Sequence, residues 1–314
     1  MAAVVLGARS IMASPSKPAA DPHGPPITVV IPPGSDAGGI GDILERRGVI
    51  DDSGRFTDYA KSQSQGSDFK AGTYDLRAGT DYDRIFAVLD AGPAPELKRL
   101  VVPEGYRNSQ IARSLPSVGV SPHAWNRAVR AASPPPGFGH HVNMEGFMFP
   151  ATYEIHPHEP AALLVQNQLA AFRENWASVD MAYARSKNLN DYDVLTIASM
   201  IEREAQVPGD RAKVAAVIYN RLRRGMALGI DATILYHLGS WTAPIHDSDL
   251  TDPEPYNTRV HRGLPPTPIC NPGLAAMQAA AHPAHVDYLY YVAVPGKSKM
   301  YFTNSYSQFV AHGG

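Results

Sequence analysis

The chain has 314 residues, of which 44% are apolar and 18% charged, and a formal net charge of −2. That length allows two domains with at least one sizeable core, and the near-neutral charge offers no electrostatic footprint for nucleic acid. The lone cysteine, Cys270, excludes an internal disulfide, although a chain of this size needs none in order to fold.

Residues 1–26, MAAVVLGARSIMASPSKPAADPHGPP, begin with a short apolar run broken by Arg9 and continue rich in Pro, Ala and Ser. The run is shorter than the ~20 residues that span a bilayer. It also lacks the basic and apolar regions of a signal peptide. Residues 1–26 therefore read as a disordered leader or the remnant of a membrane anchor.

Regular structure is expected from Ile27. ITVVI (27–31) is a strand ended by Pro32-Pro33-Gly34, and residues 38–47 form a helix with Ile40, Ile43 and Leu44 at core spacing and Gly48 as its stop. A second helix covers 54–64, GTYDL (72–76) is a strand, and Asp81 can cap a helix through Leu89. A strand at 97–103 and a helix at 108–115 follow. The glycines at 34, 38, 39 and 41 invite a dinucleotide-binding reading, but Leu44 occupies the third glycine position of G-x-G-x-x-G and the pattern fails.

Residues 116–145 are loop-rich around one helix (122–132). Helices are expected at 160–187, 191–205 and 210–224, the last with Val214, Val217, Ile218 and Leu222 at core spacing. Residues 239–284 carry eight prolines, and their apolar and aromatic content suits the ordered walls of a cleft. YLYYVAV (288–294) and KMYFTNS (299–305) read as a hairpin around Pro295-Gly296. The fold class is α+β, with a small N-terminal α/β unit ahead of a mixed helical and β domain.

Residues 195–231 concentrate the chemistry. With Leu195 at 0° and about 100° per residue, Ile197, Met200, Ile201 and Ala205 share one arc of a helix. Glu204 lies within that arc, whereas Glu202 lies opposite, beside Leu195, Ser199 and Arg203. Burial favours the protonated form of a carboxyl group, and a protonated carboxyl near neutral pH is what general-acid cleavage of a glycosidic bond requires. Glu204 is the candidate acid and Glu202 the second candidate. The competing reading is a structural glutamate held by an arginine or a backbone N–H.

Twelve histidines are present, none with the spacing of a zinc site, and no G-x-S-x-G elbow occurs. No metal site is expected. The remaining polar set is Asn220, Arg221, Asp231, Tyr256, Asn257, Thr258 and His282. These include the residue types that bind sugar hydroxyl and acetamido groups, and together with an acid on an apolar face they suit a glycan cleft.

EGFMFPATY (145–153), ASMIEREA (198–205), VAAVIYNRL (214–222), YNT (256–258), GLPPTPICNPG (263–273), AAAHPA (279–284) and YLYYVA (288–293) occur in that order. They resemble the signature blocks of the endolytic murein transglycosylases, the YceG-like proteins. Upstream, KAGTY (70–74) and VPEGY (102–106) resemble that family's LysM-like region. The resemblance divides the chain into residues 1–26, a LysM-like domain (27–100), a connecting segment (101–160) and a catalytic domain (161–314).

The resemblance implies cleavage of peptidoglycan glycan strands between N-acetylmuramic acid and N-acetylglucosamine, leaving a 1,6-anhydro-muramyl end. It implies no metal or organic cofactor, since the muramyl 6-hydroxyl serves as nucleophile and one carboxyl, at the position of Glu204, acts as acid and then base. It further implies an N-terminal helix in the cytoplasmic membrane, an enzyme on the outer side, and action near the cell-wall synthesis machinery. Three departures stand out: Gly229-Ile230-Asp231-Ala232-Thr233 stands where the family often has Q-[ST]-D-P-T, so Asp231 stays but its polar neighbours are gone, Met300 stands where a His is frequent, and the membrane helix is absent or truncated. Two further readings remain: a muramidase using Asp231 to activate water, and a glycan-binding scaffold without turnover.

Overall fold

The computed structural model describes residues 24–63, 69–94, 97–139, 143–205, 207–294 and 299–313. The leader, up to residue 23, and the Pro295-Gly296 turn lie outside the described residues. The chain divides into two compact units, Met1–Glu96 and Leu97–Gly314. Among the described residues, no helix is long and apolar enough to cross a membrane.

The first unit runs β1 (Ile27–Ile31), α1 (Ala37–Arg47), α2 (Ser53–Ser62), β2 (Gly72–Leu76) and α3 (Tyr82–Ala91). β1 pairs antiparallel with β2, Ile27 opposite Leu76 and Ile31 opposite Gly72. Period-two alternation turns Val29, Ile31, Tyr74 and Leu76 inward, onto a core centred on Phe56. The rings of Phe69, Tyr82 and Phe86 surround Phe56.

Side-chain caps start α1 and α2: Asp36 accepts from the Gly39 N–H at 2.8 Å and Asp52 from the Arg55 N–H at 2.9 Å. Asp81 occupies the equivalent position before α3 but makes no side-chain cap bond, contrary to the sequence expectation. The glycine cluster has a packing reason. A Cβ on Gly41 would sit 2.9 Å from the Ser53 carbonyl oxygen, so glycine permits the close approach of α1 and α2. Because the buried cluster of this unit draws only on its own residues, a fragment of residues 24–94 is expected to unfold cooperatively in urea. Its stability should be low, about 3–5 kcal/mol, as befits a domain of that size. A broad, non-cooperative transition would show that the unit needs the rest of the chain.

The second unit begins with β3 (Lys98–Val101), α4 (Asn108–Ser114) and α5 (Pro122–Ala131), then β4 (Thr152–Ile155) and α6 (Ala161–Trp176). The helices α7 (Ala182–Ser186), α8 (Asp191–Glu204), α9 (Arg211–Arg223), α10 (Asp231–His237), α11 (Asp247–Thr251) and α12 (Leu274–Ala281) follow. β5 (Tyr290–Ala293), β6 (Met300–Thr303) and α13 (Tyr306–Ala311) complete it. β3 pairs antiparallel with β4, so the strand expected at 97–103 belongs here and not to the N-terminal unit. The stretch expected to connect two domains likewise joins the second core. Trp125 and Phe147 are wholly buried in it, and Trp125 Nε1 donates to Gln168 Oε1 of α6 at 3.0 Å.

Three further elements differ from expectation. The helix expected over 160–187 breaks after Trp176 and restarts at Ala182, whose N–H is accepted by Asp180. The approach to Asp231 ends in a helix, α10. The proline-rich span contains α12, whose LAAMQAAA has no polar face and hence no amphipathic period to betray it. The expected hairpin is present as β5 and β6, with Tyr291 opposite Phe302.

α8 is the axis of the unit. Asn190 accepts from the Tyr192 and Asp193 N–H groups while Asp193 accepts from the Asn190 N–H, a reciprocal cap. From Val194 to Ile201 every side chain is buried, with α9, α10 and α12 packed around the helix. Its C-terminal end carries Glu202 and Glu204.

Candidate active site

Glu204 ends α8, where β5 and α10 converge on it. The Tyr291 hydroxyl of β5 donates to Oε2 at 3.0 Å. The Ala232 N–H, in the first turn of α10, donates as well, and Asp231 stands close enough to act on its charge. Burial raises the pKa of Glu204 above the ordinary carboxyl value, Asp231 adds to the rise, and the two donors and Arg203 oppose it. The partial negative charge at a helix C-terminus acts in the same direction as burial. The residue as a whole is half-buried, while its carboxyl is desolvated.

Glu202 is differently placed. Leu195 and Ser199, its neighbours on the wheel, are fully buried, so α8 has no solvent face to which Glu202 could point. Its Oε2 accepts from the Gly273 N–H at 2.9 Å, immediately before α12, and its Oε1 lies 4.0 Å from Arg211 Nη2. A carboxylate at a helix N-terminus complements the peptide dipoles there. Burial still raises its pKa, against the Gly273 hydrogen bond, and Glu104 adds to the rise. Glu104 packs directly on Gly273: a Cβ there would fall 1.8 Å from Glu104 Oε1, so any side chain at this position would displace Glu104. Glu202 is anchored to the start of α12, whereas Glu204 is held by the Tyr291 hydroxyl of β5.

The polar residues expected to bind substrate divide into two groups. Asp231 lies beside Glu204, and its Oδ1 accepts from Arg259 Nε at 3.0 Å and Nη2 at 2.6 Å. The Tyr256 hydroxyl lies 2.8 Å from Thr267 Oγ1, and its ring packs against Tyr236. Asn257, Thr258, Arg221 and Asn220 are engaged with backbone. The Asn257 carboxamide donates to the carbonyls of Asp249, Leu250 and Asp252, and Thr258 Oγ1 accepts from the Ile230 N–H. Arg221 donates to the carbonyls of Leu289 and Leu228, fastening α9 to β5 and to the approach to α10.

Asn220 donates to the carbonyls of Val286 and Tyr288 and lines a groove of about 600 Å³ with Tyr183, Tyr219 and His285. Glu204, Tyr291 and Asp231 form no part of that groove. His282 lies at the end of α12, half-exposed, 3.5 Å from Asp180.

Sequence reasoning missed three features. Tyr291 was hidden among the three tyrosines of YLYY, although strand alternation already separates it from Tyr290. Glu145 opens EGFMFP and is 5% exposed, with its carboxyl accepting from the Asn108 N–H at 2.8 Å and the Tyr236 hydroxyl at 3.4 Å. Burial pushes its pKa up to about 8. An acid inside an apolar block was the available signal. Trp241, in the turn-rich span, is clamped between the guanidinium groups of Arg107 and Arg203 at 4.8 and 4.2 Å, and its Nε1 donates to Gln110 at 2.8 Å. That clamp ties the span to the end of α8.

The arrangement sets one desolvated carboxyl, its pKa raised by burial, against fixed donors that can receive the charge when a proton leaves. The chain belongs to the YceG-like family, whose model matches residues 29–312. It is 30% identical over 283 residues to the endolytic murein transglycosylase of Bacillus subtilis (strain 168), covering 85% of this chain and 78% of that protein. It is 31% identical over 311 residues to the endolytic murein transglycosylase of Streptococcus pneumoniae (strain ATCC BAA-255 / R6), covering 89% of this chain and 56% of that protein, so it spans little more than half of the pneumococcal relative. The crystal structure of a YceG-like protein from Listeria monocytogenes superposes with a TM-score of 0.61 at 30% identity, covering 91% of this chain and 98% of that one.

Proposed function

We propose that this YceG-like enzyme, a lytic murein transglycosylase, cleaves the bond between N-acetylmuramic acid and N-acetylglucosamine within peptidoglycan strands and leaves a 1,6-anhydro-muramyl end. The observation that carries the reading is the partly enclosed Glu204 carboxyl with the Tyr291 hydroxyl and Ala232 N–H aimed at it. Glu204 protonates O4 of the departing sugar as the C1–O4 bond breaks. The ionised carboxylate then accepts the proton of the muramyl 6-hydroxyl as O6 bonds to C1. The nucleophile belongs to the substrate, so the attack is effectively intramolecular, and one acid–base group suffices.

A hydrolase of the same bond would need a second carboxylate to activate water. Asp231 is the nearest, and its Oδ1 is held by the Arg259 fork; that supports an orienting role beside Glu204. In this reading Asp231 and Tyr256 contact the sugar, and the first unit, whose β1–α1–α2–β2 order suits a LysM-like module, holds the strand. The enzyme acts on the outer side of the cytoplasmic membrane, anchored N-terminally and near the cell-wall synthesis machinery.

Digestion of purified peptidoglycan and mass spectrometry of the fragments tests the reaction. Termini should be lighter by one water than reducing ends, with no oxygen-18 taken up from labelled water. Reducing-end termini carrying the label would identify a muramidase and move the base role to Asp231. Binding without any fragment released would leave a glycan-binding scaffold.

A further inference from the structure

We propose that Tyr291 is a positioning residue for Glu204, and that its hydroxyl fixes which carboxyl oxygen hands the proton to the glycosidic bond. The inference rests on the reading of Glu204 as acid and base. Tyr291 belongs to β5, and the antiparallel register of Tyr291 with Phe302 and of Val292 with Tyr301 sets its height along the strand. Its neighbour Tyr290 turns the other way, under the Arg221 guanidinium at 5.2 Å. The phenol meets Glu204 Oε2 at 3.0 Å. Burial and the charge of Glu204 drive the Tyr291 pKa well above 10, so the phenol stays a donor throughout the working range.

A phenol has one proton to give, and a protonated carboxyl has one oxygen left as a pure acceptor. With Oε2 accepting from Tyr291, the acidic hydrogen of Glu204 resides on Oε1. Oε1 is then the atom that protonates O4 and later takes the proton of the 6-hydroxyl, while Tyr291 keeps its own proton throughout. The hydrogen bond also strengthens when its acceptor becomes charged. It therefore supports the ionised state at the moment when Glu204 turns from acid to base. The charged groups facing this pair are Asp231 on α10, Arg203 on α8 and Arg221 on α9. Among them and the backbone, Tyr291 and Ala232 are the groups that hydrogen-bond Glu204 and lower its pKa.

Tyr291→Phe in the full chain, assayed on peptidoglycan across pH, tests this. Removing a hydrogen bond to a charged group should lower kcat roughly ten- to a hundredfold with KM unchanged. The alkaline limb of the profile, where Glu204 loses its proton, should move to higher pH, because a donor that favours the ionised form has gone. Tyr290→Phe, on the other face of the strand, should keep both kcat and profile. Wild-type kcat in Tyr291→Phe overturns the proposal, as does a fall in kcat with an unmoved alkaline limb or an effect confined to KM. Glu204→Gln is run alongside: if it retains turnover, the acid–base reading itself has failed, an outcome distinct from any result with Tyr291→Phe.

Discussion

Glu204→Gln is expected to remove nearly all turnover while the protein folds as before. The amide keeps the shape of the carboxyl and can still accept from the Tyr291 hydroxyl, so the contact at 3.0 Å survives. What it lacks is a transferable proton, and general acid–base assistance accounts typically for a factor of ~10² to 10⁴ in rate. The loss should be at least that large, since one group serves both steps. Glu202→Gln should behave in the opposite way. It weakens the hold on Gly273 and Arg211 and should cost about 1–3 kcal/mol of stability, the usual range for a disturbed hydrogen bond to a charged group, with much of the turnover retained. Steady-state assays beside urea unfolding separate the two effects. An inactive Glu202→Gln together with an active Glu204→Gln would reverse the assignment.

The second large effect is on stability against pH. Glu145 has an ordinary value of 4.5 and is raised to about 8 in the folded protein, chiefly by burial. The folded state therefore binds this proton more tightly than the unfolded chain. Its contribution is fully present below about pH 4.5 and is lost progressively as pH climbs to about 8. At 1.36 kcal/mol per pH unit the total is roughly 5 kcal/mol. Glu145→Gln stays neutral and keeps an acceptor for the Asn108 N–H. Urea midpoints of the parent should fall between pH 5 and 8 and level off above that range, whereas those of Glu145→Gln should decline far less. Parallel curves for the two proteins would show that Glu145 is ionised in the fold, neutralised by the neighbouring Arg107.

Much of the candidate site was legible because its elements carry strong local signals. The apolar run of α8 and the ordered blocks from EGFMFP to YLYYVA placed Glu204, Asp231 and the hairpin before any coordinates. The choice between the two glutamates rested on the helical wheel, which gives position around the helix and not surroundings. The wheel set Glu204 on the apolar arc and Glu202 opposite it, yet residues 194–201 are buried on all sides. A helix enclosed by α9, α10 and α12 offers no exposed stripe, so periodicity could not state what surrounds each carboxyl.

By itself the sequence determined the helical and strand segments wherever period, caps and stops agreed: β1, α1, α2, β2, α8, α9 and the hairpin. It also determined the residue types available for chemistry. Only the tertiary structure decided their partners. It assigned the strand at 98–101 to the second unit, through pairing with residues 152–155, because strand pairing is a long-range choice that local sequence does not encode. It turned Asn220, Arg221, Asn257 and Thr258 toward backbone carbonyls and amides, since buried loops must satisfy their polar groups from nearby side chains. And it brought the Tyr291 hydroxyl to Glu204 across 87 residues of chain. A carboxyl's pKa depends on the atoms within a few ångströms of it, and which atoms those are is settled by packing.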